Sequence, residues 1–336
     1  MKISDNAMSA ILLYSYLGIK NKDDVKPFTL AEWEKFLNLI IELGYEPKII
    51  FKEEINKLGE TGYLPETIER IKKLAARGGA VAYEIDDLQR KGIEVVTLFD
   101  KDYPKLCKYK MKRKTTPVLY YAGNINLAKR IGIAVSGSRN IDQAGQRFTM
   151  GLAQKAALEK LIIYSGGAKG VDSISEEIAI EHGGAAVSFL ADSLTAKIKK
   201  KEIINYILNN QILLFSESKP DSGFSVAKAM SRNRLIHTSA YASIAVRADY
   251  NKGGTWAGVL ENLKNDWTKQ YVWNNESYVG NMQLIKKGAL PYELSDLRIS
   301  ELFKDNRKGK QIDIYQMYEP KVAGETKGQY QVSLKM

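Results

Sequence analysis

The sequence predicts an α/β protein built on a doubly wound, mostly parallel sheet, preceded by a small helical domain. The first hundred residues carry apolar side chains at helical spacing, whereas from Ile131 onward short apolar runs alternate with amphipathic segments. Because such alternation produces parallel sheets covered on both faces, it favours the doubly wound class. The predicted strands are residues 131–136, 161–165, 185–190, 212–216, 242–247 and 270–273. The predicted helices among them are residues 146–160, 171–182, 194–209, 225–239 and 282–287.

The N-terminal helices have recognisable start and stop signals. Thr29 and Glu32 have the spacing of a capping box, and Pro65 suits the first turn of a later helix. The Arg-Gly-Gly run at residues 77–79 is expected to end that helix. The predicted units are a helical domain at residues 1–95, a sheet domain at 96–302 and a tail without an evident winged helix at 303–336.

The charge balance favours an acidic polymer as partner. The formal net charge is +11 and the pI is about 9.3, so a surplus of Lys and Arg faces solvent. Excess positive charge attracts polyanions through steering and counterion release, which makes nucleic acid the first partner to consider. The alternative at this point is a basic surface that serves only solubility.

Several other classes are disfavoured. Cys107 is the single cysteine and His182 and His237 are the two histidines, so an intrachain disulfide is excluded and a zinc site is not expected. Neither histidine lies in a nucleophile motif, and we predict no catalytic residue, metal or cofactor. No run of about 18 apolar residues and no signal-peptide pattern occur. We therefore expect a cytoplasmic protein without a membrane partner.

Four loops at predicted strand ends, where open parallel sheets bind ligands, have unusual composition. The first contains Gly137, Ser138 and Arg139. Gly137 permits a tight turn, and Arg139 offers a fork of donors suited to phosphate. The alternative is an ordinary turn whose arginine is only solvated. Conventional dinucleotide binding is disfavoured, because the third glycine of that fingerprint is missing.

The second loop follows the next strand and carries Gly166, Gly167, Lys169 and Gly170. Successive glycine N–H groups predict an anion-binding nest at the positive end of a helix, with Lys169 adding a charge. The spacing differs from that of a Walker A motif. Asp172 is a candidate for capping the helix or fixing the loop, and the alternative for the whole segment is a purely structural glycine turn.

The third segment contains Arg232, Asn233 and Arg234 in or at the start of a helix. Two arginines that faced the crevice together would form a phosphate clamp. Positions i and i+2 do not share one helical face, however, so one arginine is a candidate for a structural ion pair.

The fourth loop supplies Gly253, Gly254 and Thr255 after the strand predicted to end at Arg247. It offers a second nest, with Thr255 as a candidate N-cap. Four such loops in successive strand-end positions, each with Arg or Lys, predict an anion-binding crevice rather than a packed core.

The order of these motifs resembles the DNA-processing protein A (DprA/Smf) family. Residues 92–104 (GIEVVTLFDKDYP) and 116–124 (TPVLYYAGN) resemble the segment leading into the family's core. The Gly-Ser-Arg turn, the Ser-Gly-x-Ala-x-Gly-x-Asp loop, residues 213–217 (LLFSE), the Arg-Asn-Arg triplet, the Gly-Gly-Thr loop and residues 280–289 follow in the family's order. The match covers residues 60–295.

The resemblance implies a Rossmann-like core whose pocket grips the phosphates of single-stranded DNA. The side chains it implies for that pocket are Arg139, Lys169, Arg232 and Arg234. The backbone donors it implies come from Gly137, Ser138, Gly166, Gly167 and Gly170. Family members bind single-stranded DNA, form homodimers and help to load a RecA-type recombinase during natural transformation. The resemblance implies no metal or nucleotide cofactor.

The chain departs from the family's pattern in four places. Residues 175–177 stand where members carry a histidine, and residues 191–193 replace a glycine-containing loop. Arg247 replaces an acidic residue, and residues 273–275 replace a Val-Pro-Gly turn. Arg247 strengthens the anion-binding interpretation, whereas the altered loops argue against an identical pocket.

Two kinds of function remain open from the sequence, beside a scaffold that mainly recruits a recombinase through an exposed patch, which the sequence does not reveal. A strand-binding protein would hold phosphates on the basic loops, with Phe224 and Tyr250 as candidate stacking platforms. The alternative is a nucleotide sensor or a phosphoribohydrolase-like enzyme with the same core, in which Arg139 steers a phosphate and Glu176 or Glu177 is the acid. A solvated helix face is the favoured interpretation of both glutamates.

Overall fold

A computed structural model of the chain describes residues 3–20 and 25–303, and these residues form a nine-stranded sheet. The strands are β1 (Glu94–Thr97), β2 (Val118–Gly123), β3 (Gly132–Ser136), β4 (Ile162–Ser165), β5 (Ala185–Leu190), β6 (Ile212–Ser216), β7 (Ala242–Ala245), β8 (Lys269–Trp273) and β9 (Leu290–Tyr292). In the order β6-β5-β4-β3-β7-β8-β9 all neighbours are parallel, while β2 joins β6 and β1 joins β2 antiparallel. The predicted doubly wound α/β class is confirmed.

The strand order reverses between β3 and β7. From β3 the chain moves outward through β4, β5 and β6, and then returns to place β7 on the other side of β3. These two strands pair in parallel, with Ile133 opposite Ala242 and Ser136 opposite Ala245. Ligands of such sheets bind beyond the carboxyl ends of the strands at this reversal, so the loops after β3 and β7 flank the expected crevice.

Helices cover both faces of the sheet. They are α1 (Asp5–Tyr14), α2 (Leu30–Glu42), α3 (Pro65–Ala75), α4 (Gly78–Arg90), α5 (Lys105–Met111), α6 (Gln143–Leu158), α7 (Val171–Glu181), α8 (Leu194–Lys197), α9 (Lys201–Leu208), α10 (Val226–Ser239), α11 (Gly253–Asn265) and α12 (Val279–Lys286). Short 3-10 helices span Pro47–Phe51, Glu53–Thr61, Lys112–Lys114, Ile125–Lys129 and Ile299–Phe303. Helix α7 packs with α6, and α10 packs with α11; both α7 and α10 contact β3, β4 and β5. Helix α7 connects strands on the outward path and α10 connects β6 to β7 on the return, so right-handed crossovers place the two helices on opposite faces.

The N-terminal helices share the core of the sheet. Trp33 and Phe36 on α2 are fully buried in the same apolar cluster as Ile133 of β3 and Phe215 of β6. The predicted capping box of α2 is confirmed, because the Thr29 side chain and the Glu32 side chain each accept the other residue's backbone N–H. Strand β1 crosses the predicted boundary between residues 95 and 96, and the division into domains stays a prediction.

The elements differ from the prediction in a few places. The helix predicted at 194–209 is wrong as one helix, since α8 and α9 are separated at residues 198–200, where the side chains of Lys199 and Lys200 lie in solvent. Helices α4 and α5 and strands β1, β2 and β9 were not predicted individually, and α11 was predicted only through its candidate N-cap. The predicted tail lies outside the described residues except for Phe303. Within residues 3–20 and 25–303, none of the helices has the length and apolar character needed to cross a membrane.

Candidate functional site

A cavity of about 480 Å³ lies where the strand order reverses. The loops after β3 and β7, helix α10 and the start of α11 enclose it. Its cationic lining residues are Arg139, Arg232, Arg247 and Lys252. Its carboxylate lining residues are Asp172 and Asp249. Cations outnumber carboxylates in this lining, so the cavity is expected to attract anions, and we call it the switch-point cavity.

The loop after β3 is held between β7 and α7. Ser138 N donates to Arg247 O at 3.0 Å, and Ser138 O accepts from Val171 N at 3.4 Å. A Cβ atom at Gly137 would overlap the Val171 side chain, so glycine is needed for the close approach of α7 to the strand end. These contacts fix the backbone at the cavity wall and leave the Arg139 side chain exposed.

Arg139 pairs with an exposed aromatic ring. Its guanidinium carbon lies 5.0 Å from the centroid of the Phe224 ring, within the range of a cation–π interaction. The Phe224 side chain is 50% exposed, and Arg139 forms no ion pair with a described residue. A charge that is not neutralised therefore lies beside a ring that a nucleobase could contact, which suits an anion carrying an aromatic group.

The opposite wall comes from the end of β7 and the start of α11. Arg247 Nη1 lies 3.4 Å from Asp142 Oδ2, and the Arg247 guanidinium lies over the Tyr278 ring at 5.1 Å. Helix α11 begins at Gly253 without a side-chain cap, and Lys252 occupies the N-cap position. The prediction of Thr255 as N-cap is wrong, because the helix begins two residues earlier. Gly253, Gly254 and Thr255 line the cavity, so this helix start remains open to an anion.

The glycine loop after β4 does not form the predicted open nest. Asp172 Oδ2 accepts from Gly166 N at 3.2 Å and from Ala168 N at 3.4 Å. Gly167 N donates to Glu176 Oε1 at 3.1 Å. The protein's own carboxylates therefore satisfy these amides, so the interpretation in which Asp172 fixes the loop is the correct one.

Glu176 is a buried residue of this loop support, so its predicted place on a solvated helix face is wrong. Its Oε1 atom accepts from Ser188 Oγ at 2.7 Å and also from the Ser165 hydroxyl. The Glu176 side chain therefore ties β4 and β5 to α7. Neither Glu176 nor Glu177, which is exposed as predicted, is among the residues that line the switch-point cavity.

The two arginines of the Arg-Asn-Arg triplet point in different directions. Arg232 lines the cavity, is almost fully buried and lies 3.7 Å from Asp172 Oδ2 through Nη2. Burial raises the pKa of Asp172 to about 6, although Arg232 acts in the opposite direction. Arg234 lies away from the cavity, where its Nη2 donates to Glu217 Oε2 and Thr116 Oγ1, both at 2.9 Å. The predicted two-arginine clamp is therefore wrong, because Arg234 is the structural ion-pair former.

The structure brings most of the predicted site residues together. The predicted residues that line the switch-point cavity are Gly137, Ser138, Arg139, Arg232, Asn233, Arg247, Gly253, Gly254 and Thr255. Asn233 Nδ2 donates a hydrogen bond to the Gly254 carbonyl oxygen at 3.1 Å. Gly170 borders an adjacent groove, and Lys169 is exposed outside the cavity lining. Gly166 packs against the Arg232 guanidinium, where any Cβ would overlap it. That phosphates bind at any of these residues stays a prediction.

Among the polar lining residues to which sequence reasoning gave no role are Lys252 and His237. Lys252 lay inside a loop that was already singled out, so its position beside Gly253 was an available signal. His237 offered none, because its burial depends on residues distant in sequence. Its Nδ1 atom lies 2.8 Å from Ser243 Oγ on β7.

His237 is expected to make stability fall in acid. Burial, assisted by Lys110 and Arg232, lowers its pKa to about 3, so it stays neutral in the folded protein while the unfolded chain protonates below pH 6.5. The contribution of neutral His237 to the free energy of unfolding is fully present above pH 6.5 and is lost as the pH falls towards 3. Between pH 7 and 4.5 in urea unfolding, the wild type should lose about 2–3 kcal/mol more than His237→Gln. Equal losses in both proteins would refute this assignment.

A doubly wound sheet with a cationic cavity at its switch point places the protein in the Rossmann-like class, whose members bind ligands at this position. The chain matches the family profile described as DNA recombination-mediator protein A over residues 94–302, more than half of its length. The chain belongs to that family, and the resemblance to DprA/Smf proteins is confirmed.

Two curated relatives share part of the chain. DNA processing protein DprA of Streptococcus pneumoniae is 30% identical over 138 residues, which are 40% of this chain and 48% of the relative. Protein Smf of Synechocystis is 25% identical over 207 residues, which are 58% of this chain and 50% of the relative. The chain therefore spans about half the length of the curated relatives it matches.

Two solved structures show the same fold. The DprA structure from Streptococcus pneumoniae is 21% identical, with a TM-score of 0.58, and the match covers 87% of this chain and 95% of the other. DprA from Helicobacter pylori, whose structure was described for its single-stranded DNA binding mode, is 24% identical, with a TM-score of 0.51 and coverage of 60% and 92%.

Proposed function

We propose that this protein binds single-stranded DNA, with backbone phosphates in the switch-point cavity. The observation that carries the proposal is the Arg139–Phe224 pair at the mouth of a cavity lined by further cations. Arginine attracts phosphate, and an exposed ring stacks on bases that are free only in single strands. The relation to DprA proteins, one of which has a described single-stranded DNA binding mode, supports the same ligand.

The wider role that we propose follows the family relation. We propose that the protein acts as a homodimer in the cytoplasm and assists the loading of a RecA-type recombinase during DNA uptake or recombination. Strand binding is the step that the cavity supports, and it is the step to test first.

The first measurement is a titration of the purified protein against fluorescent single strands of several lengths, matched duplex and AMP. We expect affinity to rise with strand length and to exceed that for duplex. The logarithm of affinity is expected to fall against the logarithm of salt concentration with a slope of about −1.4 or steeper. Arg139 and Lys252 are the two cavity cations without an ion pair among the described residues, and each phosphate contact of a single strand contributes about −0.7.

A nucleotide sensor or hydrolase predicts a different result. It would bind AMP as tightly as a long strand and show a shallow salt slope, and a hydrolase would also release free base. A hydrolase would also need an acid in the cavity. Among the described residues, the carboxylates that line it are Asp172, which already accepts hydrogen bonds from loop amides, and Asp249. Saturation by AMP without any gain from longer strands would overturn the strand-binding proposal.

A further inference from the structure

A second cavity, of about 490 Å³, lies between the N-terminal helices and strands β2 and β6. Its lining includes Tyr16, Phe28, Tyr120, Lys219, Ser222 and Lys228, together with the carboxylate Glu217, which Arg234 neutralises. We call it the aromatic cavity. Its volume lies in the range of small-molecule sites, and the DNA-binding role proposed above does not use it.

The aromatic cavity combines an exposed aromatic ring with a lysine that forms no ion pair with a described residue. Tyr16 at its edge is 54% exposed, whereas Phe28 is buried and carries the Arg70 guanidinium over its ring at 5.0 Å. Tyr16 is therefore the ring available to a ligand. Lys228 Nζ donates to Gly223 O at 2.8 Å and forms no ion pair with a described residue, while Lys219 pairs with Glu84 at 3.5 Å. An exposed ring near a positive charge suits a nucleotide as ligand, because a nucleotide carries an aromatic base and an anionic phosphate.

One short segment forms the wall between the two cavities. Phe224 and Val226 line the switch-point cavity, whereas Ser222 and Lys228 line the aromatic cavity. Residues two positions apart are separated by at most about 7 Å. A strand whose phosphate contacts Arg139 beside Phe224 therefore needs only a few nucleotides to pass over exposed Gly223 and reach Lys228.

We propose that the aromatic cavity binds a nucleobase of the same DNA strand, stacked on Tyr16, with Lys228 contacting a neighbouring phosphate. This inference rests on the proposed strand binding and extends it to a second point of contact. A single strand is the favoured ligand because both cavities open on the same segment and because its bases are unpaired.

Photo-crosslinking tests the position directly. Single strands that carry one 5-iodouracil at successive positions are bound to the full chain and irradiated, and the crosslinked residue is identified by mass spectrometry. We expect crosslinks to Tyr16 from positions a few nucleotides away from those that crosslink to Phe224. Crosslinks near Phe224 without any at Tyr16 would overturn the inference.

Affinity measurements give the second readout. For strands long enough to reach both cavities, Tyr16→Ala and Lys228→Gln are each expected to reduce affinity about tenfold, and Tyr16→Phe to retain it. The shortest strands that bind should be unaffected. Tyr241→Ala is the matched control, because Tyr241 is an exposed tyrosine at the amino end of β7 that lines neither cavity.

The outcomes separate the two proposals. If the wild type shows no preference for single strands, the proposed function itself fails. If the wild type binds and Arg139 is required, yet Tyr16→Ala and Tyr241→Ala bind long strands alike, only the aromatic-cavity inference fails.

Discussion

Arg139→Glu is expected to reduce affinity for single-stranded DNA by about 100-fold or more at physiological salt. The substitution removes a charge-assisted contact to phosphate and places a repelling carboxylate at the cavity mouth. It also removes the cation that lies over Phe224, so the ring loses its partner. Binding is measured by fluorescence anisotropy with one strand length over a salt series, where the variant should also show a shallower slope.

The controls for Arg139→Glu separate a local contact from a change in net charge. Arg90→Glu makes the same charge change on α4, at an exposed arginine that pairs with Asp86 outside the switch-point cavity. We expect it to weaken binding less than threefold. Lys169→Glu tests the site predicted from sequence alone, and we expect an intermediate loss because Lys169 lies outside the cavity lining, next to Gly170 of the adjacent groove. Equal losses for Arg139→Glu and Arg90→Glu would show that only the overall field matters.

The parallel core could be predicted from sequence because its strands are buried on both faces. Such strands are uninterrupted apolar runs, and β5 and β6 have the bounds that their sequences indicate. Strands β1 and β2, which pair antiparallel, were not predicted. No local signal shows that β2 pairs with β6, about ninety residues away. The break between α8 and α9 contains neither Gly nor Pro, so it had no sequence signal.

The site could be located from sequence more easily than it could be interpreted. Glycine, serine and arginine directly after a strand indicate a strand-end loop, and the loops after β3 and β7 do meet. The sequence could not show that Asp172 and Glu176 already occupy the amides of the glycine loop. Nor could it show that Arg234 binds Thr116, 118 residues away along the chain. These corrections depend on tertiary pairing, which local patterns do not encode.

Asp172→Ala is expected to lower the free energy of unfolding by about 3 kcal/mol at pH 7.5, where Asp172 carries its charge. The substitution leaves the buried guanidinium of Arg232 without its nearest carboxylate. It also removes the acceptor for the N–H groups of Gly166 and Ala168. Urea unfolding measures the loss, and a change below 1 kcal/mol would contradict it.

Asp172→Asn and Arg232→Met distinguish the two sources of that loss. Asparagine keeps an oxygen for the loop amides but removes the charge, and methionine removes the cation while it keeps an apolar stem. If the unpaired guanidinium dominates, Asp172→Asn is nearly as destabilising as Asp172→Ala, and the double variant recovers most of the loss. If the loop amides dominate, Asp172→Asn is mild and the two substitutions add.

Because Asp172 also offsets the charge of Arg232 inside the switch-point cavity, Asp172→Asn is expected to raise the affinity for single-stranded DNA in protein that remains folded. An unchanged affinity would place Arg232 outside the phosphate path.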